Sequence, residues 1–206
     1  MKKTRENILT TSRSLFNEHG VADVSLRRIA RELGISHSNL IYYFKTKNEL
    51  IEQLHLDILA RAKSENEQLQ AVDNRIAGLR RTMLSGFQVL YDYRFFMLDL
   101  PYIMKENATL HQFFMEVEKL RADMYVREIQ FWIEKGWMRQ EAYQGEYSQL
   151  IERIRIFSDF WLSSLQIYHK GEPQDMINKQ VDLFMSMFFP YLTAEGRNKY
   201  LDDNKL

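Results

Sequence analysis

The feature that most constrains this chain is how rarely its backbone is interrupted. Its 206 residues include eight glycines and three prolines, at Pro101, Pro173 and Pro190, against average usage of about 7% and 5%. Few breakers permit long helices, and the Leu, Glu, Arg, Lys, Gln and Met between them are good helix formers. An all-β or collagen-like fold is excluded. With this length an all-α chain can bury a core unaided by metals or disulfides. Cysteine is absent, which removes thiolate catalysis, cysteine–zinc sites and disulfides and suits a reducing compartment. No apolar run approaches the roughly 18 residues of a membrane span. The N-terminal MKKTRENILTTSRS lacks the apolar stretch of a signal peptide. The expected location is therefore the cytoplasm, with no membrane partner.

Start and stop signals divide the chain into helices. Ile8, Leu9, Leu15 and Phe16 give the first helix, near 4–18, an apolar face, and Gly20 ends it. Ser25 can cap a short second helix to about Glu32, with Gly34 in the left-handed position that closes such a helix. Ser36 caps a third helix ending near Phe44. Thr46-Lys47-Asn48-Glu49 reads as a capping box that opens a long fourth. Further helices are expected near 74–94, 97–105, 108–135, 145–169 and 173–191, with a terminal turn near 194–201.

Charge is distributed unevenly along this pattern. The formal net charge is zero, yet residues 1–47 carry nine bases and four acids, a net of +5, and the remainder carries −5. A basic head on an acidic body concentrates attraction for polyanions at one end.

Residues 25–44 read SLRRIARELGISHSNLIYYF: a short helix, a tight turn and a second short helix, the pattern of a helix-turn-helix. Ala30 is small where the helices cross, and Gly34 supplies the freedom the turn needs. Ile29, Leu33, Ile35, Leu40 and Phe44 can close a core with the first helix. That leaves the N-terminal face of the third free to enter a major groove. With FNEHG before it and NLIYYFKTKNELI at its end, the segment resembles the tetracycline-repressor (TetR) family of bacterial transcriptional regulators over about residues 5–55.

The resemblance implies an N-terminal three-helix DNA-binding domain over 1–48 and a C-terminal helical ligand-sensing and dimerisation domain over 49–206. It places His37, Ser38 and Asn39 against base edges, Arg27 against phosphate or a base, Tyr42 and Tyr43 against the DNA backbone, and Lys47 against phosphate. Arg28 and Ser36 complete the DNA-facing set. Many members carry Gly-Thr where this chain has Ser38-Asn39, Tyr where it has Ile41 and His where it has Tyr43. Ile41 cannot donate to a phosphate.

Residues 87–137 hold twelve aromatics. At helical spacing most of them belong to a core. Family members bind a small molecule among the C-terminal helices, and this composition suits a largely apolar effector. Candidate wall residues are Tyr91, Phe95, Tyr102 and Phe114, with Trp132, Phe160 and Trp161 further along; Asp99 is a candidate polar anchor. The helices near 145–169 and 173–191 are apolar on more than one side. A second side calls for a second surface, and the family's homodimer uses the corresponding pair. A two-fold dimer on double-stranded DNA predicts a palindromic site.

Enzyme signatures are missing. One Glu-x-x-His occurs, Glu52 to His55, where a paired-metal helical site needs two. His-Glu-x-x-His, Gly-x-Ser-x-Gly and phosphate-binding glycine loops are absent. No cofactor or metal is expected. The sequence thus reads as a ligand-responsive repressor. An activator, or a ligand-independent DNA-binding factor of the same fold, is the alternative.

Overall fold

Side-chain caps mark the helix ends in the first quarter of the chain. Ser25 accepts from Arg28 N–H at 3.2 Å and opens α2 (Leu26–Glu32). Gly34, at φ +65°, closes it. There the Gly34 N–H reaches Arg31 O at 3.1 Å and the Ile35 N–H reaches Ala30 O at 3.0 Å, the paired bonds of a Schellman motif. Ser36 accepts from Asn39 N–H at 3.1 Å and opens α3 (His37–Tyr43). Thr46 accepts from Glu49 N–H at 3.1 Å at the start of α4 (Lys47–Gln68). The Glu49 carboxylate reaches back to the Lys45 N–H at 2.8 Å, one residue beyond the expected capping-box partner.

The computed structural model describes residues 2–68 and 73–203. The described residues form eleven α-helices and one 3-10 turn. α1 is Lys2–His19; after α4 come α5 (Arg75–Asp92), α6 (Arg94–Leu98), α7 (Leu100–Glu106), α8 (Ala108–Glu134), α9 (Glu146–Tyr168), α10 (Pro173–Ser186) and α11 (Ala194–Asp203). The all-α class expected from the sequence is what is found. An isolated bridge between Met138 and Leu192 is the one β pairing among them. No described helix is long and apolar enough to cross a membrane.

Two expected helices differ. The one near 97–105 is two short helices parted at Asp99, with Pro101 in the first turn of α7. Proline lacks the N–H an interior turn requires and is tolerated where that N–H is unpaired anyway. The helix expected over 173–191 stops at Ser186, and a 3-10 turn at Phe189–Tyr191 follows. Pro190 has no N–H for the carbonyl of Ser186, so the α-helical ladder cannot continue.

The chain forms two compact units. The first comprises Met1–Ser64 and Val89–His111. Its core joins Ile8, Phe16, Val24, Ile29, Leu40, Phe44 and Leu50 to Phe95 and Phe96. Phe16 and Phe95 lie 5.2 Å apart, and His55 stacks on Phe96 at 4.7 Å. Polar side chains stitch the two segments together. Asn17 donates to Asp92 O at 2.9 Å and accepts from Phe95 N–H at 3.0 Å. Asn107 donates to Glu52 at 2.8 Å.

The second unit comprises Glu65–Gln88 and Gln112–Leu206. Its core is an aromatic cluster. Phe87 stacks on Trp161 at 4.6 Å, Phe184 packs against Phe87, Phe157 and Phe188, and Trp132 meets Phe188 edge-on at 5.3 Å. Fully burying one such side chain contributes about 1.5–3 kcal/mol. Before α9, Arg139 grips Glu146 through two bonds of 2.7 Å.

Candidate nucleic-acid interface

α3 has two unlike faces. Leu40 is fully buried and Phe44, just past its end, is nearly so, which anchors the helix on α1 and α2. Arg5 of α1 fixes that anchor: its guanidinium lies 5.1 Å over the Phe44 ring and donates to Gln53 of α4 at 2.7 Å. On the other face Ser36, Ser38 and Asn39 are exposed, and His37 and Ile41 are half-buried. Asn39 makes its cap bond with its backbone N–H. Its side-chain amide, on an exposed residue, is of the kind that pairs with adenine N6 and N7.

Tyr42 is 70% exposed. It stands edge-on to half-buried Tyr43 at 5.2 Å, so one ring supports the other. Arg27 is exposed and Arg28 half-buried, both in the first turn of α2.

Lys47 differs from the rest of the set. Its ammonium donates to Val21 O at 2.7 Å and is half-buried. The Val21 N–H is taken by Asp99 at 2.6 Å. The peptide groups of Val21 are therefore held from both sides, by α4 and by the α6–α7 break. Burial lowers the Lys47 pKa, while the charges of Asp99, Asp23 and Glu106 pull it back up.

The residues proposed from the sequence for an effector do not all gather in one place. In the first unit, Phe95 is a core residue against Phe16, and Asp99 is bonded to Val21. Tyr91 lies half-buried with Arg94 over its ring at 5.4 Å, and Tyr102 is 38% exposed. In the second unit, Phe114 and Trp132 are buried in the core.

Phe160 and Trp161 line a groove of about 620 Å³ between α9 and α10. Ile156, Leu183, Lys179 and Gln180 share it, together with His169 just beyond α9. The last three were not singled out from the sequence. Polar residues on an amphipathic helix read as solvated surface, and only the apolar residues beside them hinted otherwise. No group of three or more metal-ligating side chains occurs among the described residues.

Two family profiles match the chain end to end. Residues 8–54 match the bacterial regulatory proteins of the tetR family, and residues 55–200 match a family described as bacterial transcriptional repressor, TetR. The chain belongs to the TetR family. TetR-family members are DNA-binding transcriptional regulators and not enzymes.

An HTH-type transcriptional regulator of Staphylococcus aureus strain USA300 is 42% identical over 60 residues, 28% of this chain and 32% of that protein. The match thus spans about a third of the curated relative's length. A TetR-family regulator from Marinobacter aquaeolei VT8 superposes with a TM-score of 0.84 at 23% identity, covering 98% of both chains. A transcriptional regulator from Saccharomonospora viridis in complex with choline gives 0.71 at 18% identity, covering 94% of this chain and all of that one. The SmeT–triclosan complex gives 0.61 at 20%, covering 93% of each. At these identities the structures share the fold.

Proposed function

We propose that this TetR-family regulator is a ligand-responsive repressor that binds a palindromic operator as a homodimer. The observation that carries the reading is the division of α3, with Leu40 buried and Ser38, Asn39 and Tyr42 exposed. A helix anchored on one side and polar at its exposed N-terminal end is built to lie in a major groove. The surrounding Arg27, Arg28, Tyr42 and Tyr43 are then phosphate and sugar contacts. His37, Ser38 and Asn39 read bases, and Ser36 sets the start of the helix.

The homodimer is supported by the outer face of α9 and α10. Ile156, Phe160 and Ile167 recur down one side of α9 and are 50%, 46% and 71% exposed; Leu183 on α10 is 52% exposed. An apolar stripe of this kind on a folded chain marks an interaction surface, and a two-fold axis lets the same stripe meet itself. Response to a ligand is supported by relatives of the same fold solved with choline and with triclosan.

The test is selection of bound duplexes from a random pool, followed by anisotropy titrations. An inverted repeat with half-sites one DNA turn apart is expected. Arg27→Ala is expected to weaken binding to every sequence and to lower the slope of log K against log salt by about 1.8, two lost phosphate contacts per dimer at about 0.9 each. Selection of a single unrepeated site, or of no consensus, would overturn the reading.

A further inference from the structure

Asp99 stands where a helix would use it, and it is used elsewhere. It is the N-cap of α7, yet its carboxylate makes no bond to the first turn of that helix. Asp favours this position because such a bond satisfies a free N–H. Asp99 Oδ2 instead accepts from Val21 N–H at 2.6 Å, in the turn that joins α1 to α2. A local cap is given up for a bond to the helix-turn-helix segment.

Lys47 closes the other side. It opens α4, and its ammonium donates to Val21 O at 2.7 Å. It is half-buried, and the carboxylates of Asp99, Asp23 and Glu106 already answer its charge. Val21 is fully buried, so its N–H and its carbonyl both need partners inside the fold. The turn ends at Ser25, the cap of α2, and Arg27 follows in the first turn of that helix. Asn17 fixes the end of α1 before the turn, through Asp92 and Phe95. Without Asp99 and Lys47, the stretch between those two fixed points would be free to shift, and the start of α2 with it.

We infer that Asp99 and Lys47 are positioning residues for DNA binding: they hold the Val21 turn, and through it the start of α2, and Lys47 is not a phosphate contact. The inference rests on DNA contacts at the start of α2 and not on a palindrome, a dimer or a ligand. It brings an acidic residue from outside the helix-turn-helix into DNA recognition. Its sign is opposite to that of charge alone. Removing a carboxylate strengthens attraction to a polyanion, whereas removing a strut weakens binding.

The experiment titrates the full chain by anisotropy, over a range of salt concentrations, against a duplex of arbitrary sequence and against the selected one. Lys47→Met keeps the length of the side chain and removes the donor. It is expected to weaken binding to both duplexes about tenfold, the scale of one hydrogen bond to a charged group, at the salt slope of the parent. A lost phosphate contact would instead lower that slope by about 0.9 for each subunit bound. Asp99→Ala is expected to weaken both duplexes about as much, again at the parent's slope. Asp99→Asn, whose side-chain oxygen still accepts from Val21 N–H, is expected to bind like the parent. Hydrogen exchange over residues 17–28 is expected to quicken in Asp99→Ala and not in Asp99→Asn. Asn48→Ala removes a bond of 3.1 Å from α4 to Glu106 O that does not touch the turn, and is expected to leave DNA affinity unchanged.

Three results would overturn the inference. They are a salt slope in Lys47→Met lowered as for a lost phosphate contact, DNA binding by Asp99→Ala as tight as the parent's or tighter, and binding by Asp99→Asn as weak as that of Asp99→Ala. Thermal melts show whether each variant is folded at the assay temperature. If Asp99→Ala is not, the slope of Lys47→Met decides. Selection of no consensus would sink the palindromic reading alone, because the slopes on the arbitrary duplex still judge this one.

Discussion

Glu146 and Glu118 are both withdrawn from water, yet their carboxyls are driven in opposite directions. Glu146 accepts two bonds from Arg139 and one from the Ala142 N–H at 2.8 Å. First the Arg139 bonds and then the backbone bond hold its pKa down to about 2. That contribution to stability is complete above the ordinary value of 4.5 and is lost as pH falls toward the folded value.

Glu118 lies in the apolar stripe of α8, 8% exposed, with Arg121 at 2.9 Å. Burial raises its pKa; Arg121 opposes this, and the nearby charge of Asp159 on α9 adds to it. Its contribution is therefore full when the group is protonated and falls as pH rises through the folded value. Glu146→Gln is expected to melt below the parent at pH 7, with the gap closing toward pH 2. Glu118→Gln is expected to gain on the parent as pH rises from about 4 to 7. Melting curves from about pH 2 to pH 7 test both, and gaps with the same pH slope would contradict the assignment.

At the same scale, Asn39→Ala is expected to change preference at one base position by about 1–3 kcal/mol. Tyr42→Ala is expected to weaken all sequences alike, and selection with each variant distinguishes the two. The exposed residues of α3 were legible in sequence because a seven-residue helix held by Leu40 and by Phe44 just past its end leaves little choice of outward face. The bonds of Asp99 and Lys47 to Val21 were not, because a carboxylate 78 residues from its partner carries no local signal.

Elements capped by their own serines and glycines were read correctly, and a close approach set by distant packing was not. α2 and α3 are bounded by Ser25, Gly34 and Ser36, each acting within three residues. Gly34 has open space around a would-be Cβ, so its φ of +65° is the whole constraint. Gly34→Ala is expected to cost about 1–2 kcal/mol, the left-handed penalty.

Gly196 is the converse case. A Cβ there would lie 2.0 Å from Trp137 O, so α11 can dock only where that side chain is missing. The dock also uses the Trp137 indole, which donates to Glu195 at 3.0 Å. Gly196→Ala is expected to destabilise by at least the 1–3 kcal/mol typical of overpacking. Urea unfolding measures both, and a Gly196→Ala cost below that of Gly34→Ala would show that α11 yields easily. The sequence offered no hint of this approach, because Gly196 looks like any surface glycine. A break was expected near Pro101, but its place at Asp99 and the stop at Ser186 were not. A proline fits the first turn of a helix as well as it ends one, and pattern alone does not choose.

For the whole molecule, the proposed DNA-reading role of the first unit gives the +5 of residues 1–47 a purpose. The apolar outer faces of α9 and α10 have none within a single chain. Ile156, Phe160 and Ile167 occur at intervals of four and seven, a stripe on the side of α9 opposite Ile154 and Leu165. A solvated helix would carry charge there. The proposed dimer explains why the stripe persists, and it ties DNA affinity to assembly, because a palindrome binds two heads through one association. Phe160→Asp places a carboxylate at the middle of the stripe without disturbing the buried face. It is expected to sediment as a monomer at micromolar concentration. Its affinity for an isolated half-site should match the parent's, and its affinity for the full operator should fall to that of the half-site. A variant that stays dimeric and keeps full-operator affinity would move the interface away from α9. A variant that loses half-site binding as well would show that the substitution damaged the fold, and its melting temperature would report that independently.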